Sequence, residues 1–363
     1  MNNIKYTNQS FSEIADKNFV SSQTVRNIFN KRVDFKAGVP SSYMCIDEKC
    51  YVHGNTKYAL IILDFESNKV IDVCKDRKKT TLMNWLRHAR DYHVIPNPSL
   101  YKDTSSASSK ENKRTINLKM VCIDMNQHYL DAINAIFPGL PVAVDSFHVM
   151  QNVMSAFNNV RLSVMNSFLN TEFKQNKKMI DFLDDEQIDI SQPIEYRIIK
   201  KYWKLLSVCG PVTRIKPELK KYNRMIDQYA DQQDVLDYVL NIDKRLSKTW
   251  SLKQQYAYFN SHATKENASE LLKTIIIDFN ESQLRQFVKL SQTLSRWHDQ
   301  IINSFTIVND NRRISNGPIE GANSKIQKLI VNSNGIPSFE TLRKRILYSH
   351  GTIAGIPLNK RKK

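Results

Sequence analysis

The chain has 363 residues, enough for a sizeable core and for two or three domains. Lys and Arg number 53 against 36 Asp and Glu, a net charge of +17 that favours a nucleic-acid partner over a merely basic surface, because each cation that neutralises a phosphate releases a condensed counterion. There is no apolar leader in MNNIKYTNQS and no run of about 18 apolar residues, and the five cysteines are scattered without a C-x-x-C pair, which together exclude a membrane span and a zinc framework and point to reduced thiols in the cytoplasm.

Residues 10–32, SFSEIADKNFVSSQTVRNIFNKR, carry two short helical patterns split by a turn. Ile14 and Ala15 face inward from the first, Val20 marks the turn, and Val25 and Ile28 face inward from the second, with Ser22 as its cap. This is the pattern of a helix-turn-helix, although Phe19 occupies the turn where glycine is common, and a plain helical hairpin has the same signature. In a DNA-binding helix-turn-helix, Gln23, Thr24, Arg26 and Asn27 would reach bases or phosphates.

From Ser41 the apolar period changes to two. SYMCIDEKCYV, KYALIILDFES and KVIDVCKD read as three successive strands, the last two joined by a turn at Glu66 to Asn68. A helix over Thr80–His93 and a polar loop over Lys102–Arg114 follow. Next come a strand LKMVCID, a helix QHYLDAINAIF, a strand VAVD and a helix from near Phe147. Three meandering strands followed by right-handed α crossovers predict a mixed α/β sheet with helices on both faces, the order found in ribonuclease-H-like domains. From about residue 150 to 310 the pattern is almost wholly helical. The predicted organisation is a helix-turn-helix over 1–38, a first part of the sheet domain over 39–150, a helical insertion over 151–310, and a second part of the sheet domain with a basic tail over 311–363.

Two carboxylates close two of these strands, Asp47 in YMCID and Asp124 in KMVCID. In this order the first and fourth strands are neighbours, so the two can converge; Glu48 follows Asp47 on the opposite face, and the residues themselves do not say which of the pair faces Asp124. Close carboxylates repel unless a cation lies between them, and hard oxygen donors suit Mg²⁺. A third carboxylate would complete a two-metal site with ions about 3.5–4 Å apart. Glu320 in SNGPIEGANSKIQ is the candidate: on a helix opened by Ser315 or Asn316, with Pro318 in its first turn, Glu320, Asn323, Ser324 and Gln327 share a polar face and Ile319, Ala322, Ile326 and Leu329 an apolar one. Taken singly, the aspartates are equally explained as turn caps and Glu320 as an exposed helix residue.

The segments CIDEKCYVHGNTKYALIILDFESNKVID, CIDMNQHYLDAINAIFPGLPVAVDSFHVMQNV and SNGPIEGANSKIQKLIVNSNGIPSFETLRKRIL resemble three blocks of the ISL-three family of bacterial insertion-sequence transposases. The resemblance runs from the helix-turn-helix to about Tyr348. It implies a DDE centre on a ribonuclease-H-like fold, with Asp47, Asp124 and Glu320 as catalytic carboxylates holding two Mg²⁺ ions, for which Mn²⁺ can substitute. It selects Asp47 over Glu48 by analogy. The D-x-F-H block supplies Asp145 and His148, either as a helix cap and its neighbour or as auxiliary groups beside the metals, and Asn323 is a further auxiliary residue. The arginine pair usual after the family's glutamate is missing, leaving Lys325 and Lys328 for phosphate contacts. A cysteine-rich module usual at the family's N-terminus is also missing.

The implied function is a DNA transposase that cuts the terminal inverted repeats of its element and joins the freed 3′-hydroxyl to target DNA, acting as a homo-oligomer on double-stranded DNA in the bacterial cytoplasm. A non-catalytic DNA-binding regulator derived from such an enzyme, and a nuclease of the same fold without strand transfer, are the alternatives. Trp203, Trp250 and Trp297 read as core of the helical block, with base stacking by Trp297 the lesser reading, and the tail NKRKK as a solvated basic end.

Overall fold

A computed structural model of the chain describes residues 9–33, 41–50, 58–92, 118–169, 192–209, 220–309, 312–333 and 338–351. In chain order these form α1 (Phe11–Lys17), α2 (Ser22–Arg32), β1 (Tyr43–Cys50), β2 (Tyr58–Asp64), β3 (Lys69–Cys74), α3 (Lys79–Tyr92), β4 (Met120–Ile123), α4 (Gln127–Ile136), β5 (Val142–Val144) and α5 (Ser146–Ser167). There follow α6 (Ile194–Lys201), α7 (Trp203–Leu206), β6 (Lys221–Asn223), β7 (Gln228–Ala230), α8 (Gln232–Asn241), α9 (Lys244–His262), α10 (Ala268–Glu281), α11 (Arg285–Arg296) and α12 (His298–Asn303). The chain ends in β8 (Ile307–Val308), β9 (Arg312–Arg313), α13 (Gly317–Asn332) and α14 (Phe339–His350). The polar loop over 102–114 and the basic tail over 359–363 lie outside the described residues. Among the described residues no helix is long and apolar enough to cross a membrane.

The chain divides into two compact units, one of Met1–Asp145 with Thr306–Lys363 and one of Ser146–Phe305. The first is built on a five-stranded sheet in the order β3-β2-β1-β4-β5. Hairpin pairing makes β1, β2 and β3 antiparallel, and β4 and β5 are parallel to β1 because helical crossovers return the chain in the same direction. Asn68, at φ 56°, and the Asp64 carboxylate, which accepts from Glu66 N and Ser67 N, shape the β2–β3 turn.

One face of the sheet carries Cys45, Ile61, Leu63, Val73, Cys122 and Ala143, and Ile319, Ala322, Ile326 and Leu329 of α13 pack on it. The apolar stripe of α13 read from the sequence is therefore the buried one. The C-terminal α14 is tied to β3 by Arg343, whose guanidinium donates to the buried Asp72 carboxylate at 2.8 and 3.0 Å; Trp85 Nε1 of α3 donates to the same carboxylate at 2.9 Å. Four donors, counting Val73 N, thus satisfy a charge that would be costly if buried alone.

The helix pair α1–α2 forms a small second core of Phe11, Ile14, Ala15, Val25, Phe29 and Val33 against Tyr348 of α14. Ser10 and Glu13 close a capping box on α1, and Arg345 of α14 donates to Gln9 O and lies 4.9 Å from the Phe11 ring. Two details differ from the sequence reading, and the turn lies where it was read. The cap of α2 is Ser21, which has extended backbone angles and accepts from Thr24 N; Ser22 is the first helical residue. Phe29, not Ile28, is buried, since the inward stripe steps four residues from Val25 where a step of three was expected. Val20 is exposed, and Phe19 takes the left-handed conformation glycine usually supplies, at φ 53°, with its ring 98% exposed.

The second unit is helical, as its sequence predicts, with α9 and α11 packed on α5 and α10 packed on α11. Among its described residues it departs from that reading at the hairpin β6–β7, whose three-residue strands are too short to show a period, and at Trp203, which was read as core and is exposed. Trp297 is core, Trp250 half-buried, and Trp203 exposed. Lys253 of α9 is wholly buried, donates to Leu206 O and Val208 O at 2.7 and 2.6 Å, and has its pKa pushed down to about 8 by burial.

Candidate metal centre

Cross-strand register decides which carboxylates share a face. Asp47 lies opposite Ile61, on the face covered by α13, while Glu48 lies opposite Leu60 on the other. In the parallel direction Ile46 pairs with Ile123 and Ile123 with Val144, so the next residue along each strand, Asp47, Asp124 and Asp145, stands in the same row. The strand β1 runs on to Cys50, so Asp47 sits within it and not at its end as the sequence suggested; it emerges where its parallel neighbour stops at Ile123.

Glu48 is engaged elsewhere. Its carboxylate accepts from Tyr129 Oη at 2.6 Å, Asn126 Nδ2 at 3.3 Å and Arg77 Nη1 at 2.7 Å. Burial, and then the bond to Glu48, push the Tyr129 phenol well above its ordinary range. Asp47 instead accepts from Asn323 Nδ2 of α13 at 2.9 Å.

Glu320 is exposed on the first turn of α13 and Asn323 is three residues further along, so the two project from one side of the helix. The segment leading into this helix is threaded over the sheet: the Cys45 thiol donates to Ser315 O at 3.3 Å, Asn316 N donates to Asp145 Oδ1 at 3.0 Å, and Asn316 Nδ2 donates to Asp124 Oδ1 at 2.8 Å. The Cys122 thiol beneath is pushed far up by burial, by its bond to Cys45 and by the Asp145 and Asp124 charges, and is inert as a nucleophile.

Asp124 and Asp145 each offer a carboxylate oxygen, and these lie within 4.8 Å of each other. Two carboxylate oxygens this close suit a divalent cation. His148 follows three residues after Asp145, in the first turn of α5. Neither Asp47 nor Glu320 belongs to a close three-residue group of such ligands among the described residues. Lys325 and Lys328 are both exposed on α13. A cleft of about 470 Å³ beside its first turns is lined by Asn68, Arg312, Arg313, Gly317, Gly321 and Lys325, with Arg312 held by Phe65 O and Asn68. On α2, Gln23, Thr24 and Asn27 are exposed and Arg26 half-buried; Gln23 Nε2 donates to Asn27 Oδ1 at 2.8 Å. Sequence reasoning missed Asn316 as anything beyond a helix start, and missed Tyr129 and Arg77 altogether.

A sequence profile described as a transposase matches residues 102–346, which places the protein among the transposases. The profile is that of the ISL3 DDE transposases, and the chain belongs to this family. Membership implies DNA binding and DNA transposase activity. The matched span includes Asp124, Asp145, His148, Glu320 and Asn323 and begins after Asp47. Among curated proteins none matches the chain.

Proposed function

We propose that the protein cuts the terminal inverted repeats of a bacterial insertion sequence and joins the cut ends to target DNA, at a site where Asp47, Asp124 and Glu320 hold two Mg²⁺ ions, with Mn²⁺ as a substitute. The observation that supports this most directly is the row of Asp47, Asp124 and Asp145 on the sheet face beneath the helix that carries Glu320. On this reading the sheet is a ribonuclease-H-like catalytic domain, and the Ser146–Phe305 unit is a helical insertion in it.

The residues fit a divalent cation, since hard oxygen donors converge. Bound there, such ions act as Lewis acids that activate water and offset charge developing at phosphorus. The chain does the rest. Asp47 and Asp124 are held in place by amide donors of α13 and its leading segment, which limits reorganisation during reaction. Lys325, Lys328 and the Arg312–Arg313 cleft present positive charge to the DNA backbone, and Gln23, Thr24, Arg26 and Asn27 of α2 read the element's end. Joining two ends to one target calls for more than one copy of the chain, working in the cytoplasm.

A second reading is favoured by the close Asp124–Asp145 pair: Asp145 in place of Glu320 is the third carboxylate. The test is cleavage and joining of the flanking genomic repeats in Mg²⁺ by Glu320→Gln and Asp145→Asn. Loss in the first with residual activity in the second supports the DDE set; the reverse supports the second reading, and no cleavage by the parent protein removes both.

A further inference from the structure

Asn316 sits at the start of α13 with 1% of its surface exposed, and it contacts all three strands that carry the aspartate row. Its backbone N–H donates to Asp145 Oδ1 at 3.0 Å, and its amide nitrogen donates to Asp124 Oδ1 at 2.8 Å and, more weakly, to Ile46 O at 3.4 Å. Asn323, 8% exposed, repeats the arrangement on Asp47, with Nδ2 2.9 Å from Oδ2. In each amide the nitrogen must face the carboxylate, because an oxygen there would be repelled. The other end of each amide is then left over. Both Asn316 Oδ1 and Asn323 Oδ1 are buried without a hydrogen-bond partner. A buried acceptor without a partner is costly to keep, and these two belong to the side chains that grip the aspartates. Because an amide is planar and compact, each orphaned oxygen lies beside the carboxylate its nitrogen holds.

We infer that Asn316, with Asn323, is a positioning residue of the metal centre. Its donors hold Asp124 and Asp145 in one arrangement before a cation arrives, and its amide oxygen accepts from water that enters with the cation. The inference rests on the functional reading above, that these aspartates bind divalent metal. Asparagine suits this task where aspartate does not. It donates to one carboxylate without adding a fourth negative charge, and it keeps an acceptor for the water that hard divalent cations retain. Partners of this kind, which orient the ligands themselves, commonly change metal affinity by about 10–100-fold when removed.

The experiment is Mn²⁺ titration of the full-length protein, followed by electron paramagnetic resonance, with thermal unfolding measured in chelator and in Mn²⁺. Asn316→Ala is expected to bind Mn²⁺ about 10-fold or more weakly. Its melting temperature should also rise less than the parent's when Mn²⁺ is added. Asn316→Asp, which places a fourth carboxylate against Asp124, should melt well below the parent in chelator and recover on adding Mn²⁺. A role confined to capping α13 would instead lower the melting temperature equally with and without metal and leave Mn²⁺ affinity within about twofold, and that result overturns the inference. If Asn316→Ala does not fold, Asn323→Ala is read by the same criteria. Asp124→Asn is the control on the underlying reading: unchanged Mn²⁺ binding in that variant shows that the aspartates hold no metal, and the inference falls with it. Weakened binding in Asp124→Asn but not in the asparagine variants sinks the inference alone.

Discussion

Asp47 and Glu48 are adjacent and identical in charge, yet the structure assigns them opposite surroundings, and this can be tested by separating stability from chemistry. Glu48→Ala strips the acceptor from the buried Tyr129 hydroxyl, a loss of about 1–3 kcal/mol for an orphaned donor. The 3.3 Å contact from Asn126 adds less than about 1 kcal/mol. The Arg77 ion pair, its guanidinium in solvent, adds little. The expected cost is thus about 1–4 kcal/mol in urea unfolding, while Glu48→Gln, which keeps an acceptor for Tyr129, should cost less than half of that. Both variants, assayed per folded molecule in single-turnover DNA cleavage, should stay near the parent rate. Asp47→Asn should show the opposite profile. It loses one hydrogen bond from Asn323 and relieves charge crowding, so stability barely moves, but cleavage should fall by about 10²–10³-fold because the proposed site loses a charge-stabilising ligand. Retained cleavage in Asp47→Asn together with loss in Glu48→Gln would refute the assignment of faces to functions.

Lys253 gives a pH signature in the helical unit. Its folded pKa of about 8 lies below the ordinary 10.5, so the unfolded chain holds more protons between those values and stability should rise with pH across that window, by up to about 3 kcal/mol, with the full penalty present below pH 8. Urea unfolding of the parent and of Lys253→Met from pH 7 to 10 should show the rise only in the parent; equal slopes would contradict it. If the α1–α2 pair reads the element's end as proposed, replacing Arg26 and Asn27 together with alanine should weaken binding to that end more than binding to random duplex, measured by titration at fixed salt. Equal loss on both DNAs would mean these side chains contact phosphate alone.

The sheet was legible because YALIILD and KVIDVC are short, nearly continuous apolar runs, as strands buried on both faces are, and strand order follows from short turns and right-handed crossovers. The apolar face of α13 was legible for the same reason at a period of 3.6. Where the reading missed, the deciding contact was long-range or the choice locally degenerate. Ile28 and Phe29 both satisfy helical spacing from Val25, and packing against Phe11 and against Tyr348, the latter more than 300 residues away, buries the second. Glu48 and Asp47 are told apart by Tyr129 and Asn323, on elements far along the chain. Asn316 reads locally as the residue before a Pro-containing helix start, and its grip on Asp124 and Asp145 exists only once strands 192 and 171 residues away are in place. The hairpin β6–β7 left no trace because three residues cannot show alternation.

The most direct test of the account is Glu320→Gln in single-turnover cleavage and strand transfer with Mg²⁺, run beside a titration of the same DNA end. Glutamine preserves the shape and helix propensity of the side chain and removes the charge, and the exposed position of Glu320 makes the change cheap for folding. The variant should bind the DNA end as the parent does, because the proposed function rests binding on the basic surface and on α2, while both chemical steps fall by at least about 10²-fold. Cleavage at the parent rate by a folded, DNA-bound Glu320→Gln protein would contradict the claim that this helix supplies the third carboxylate.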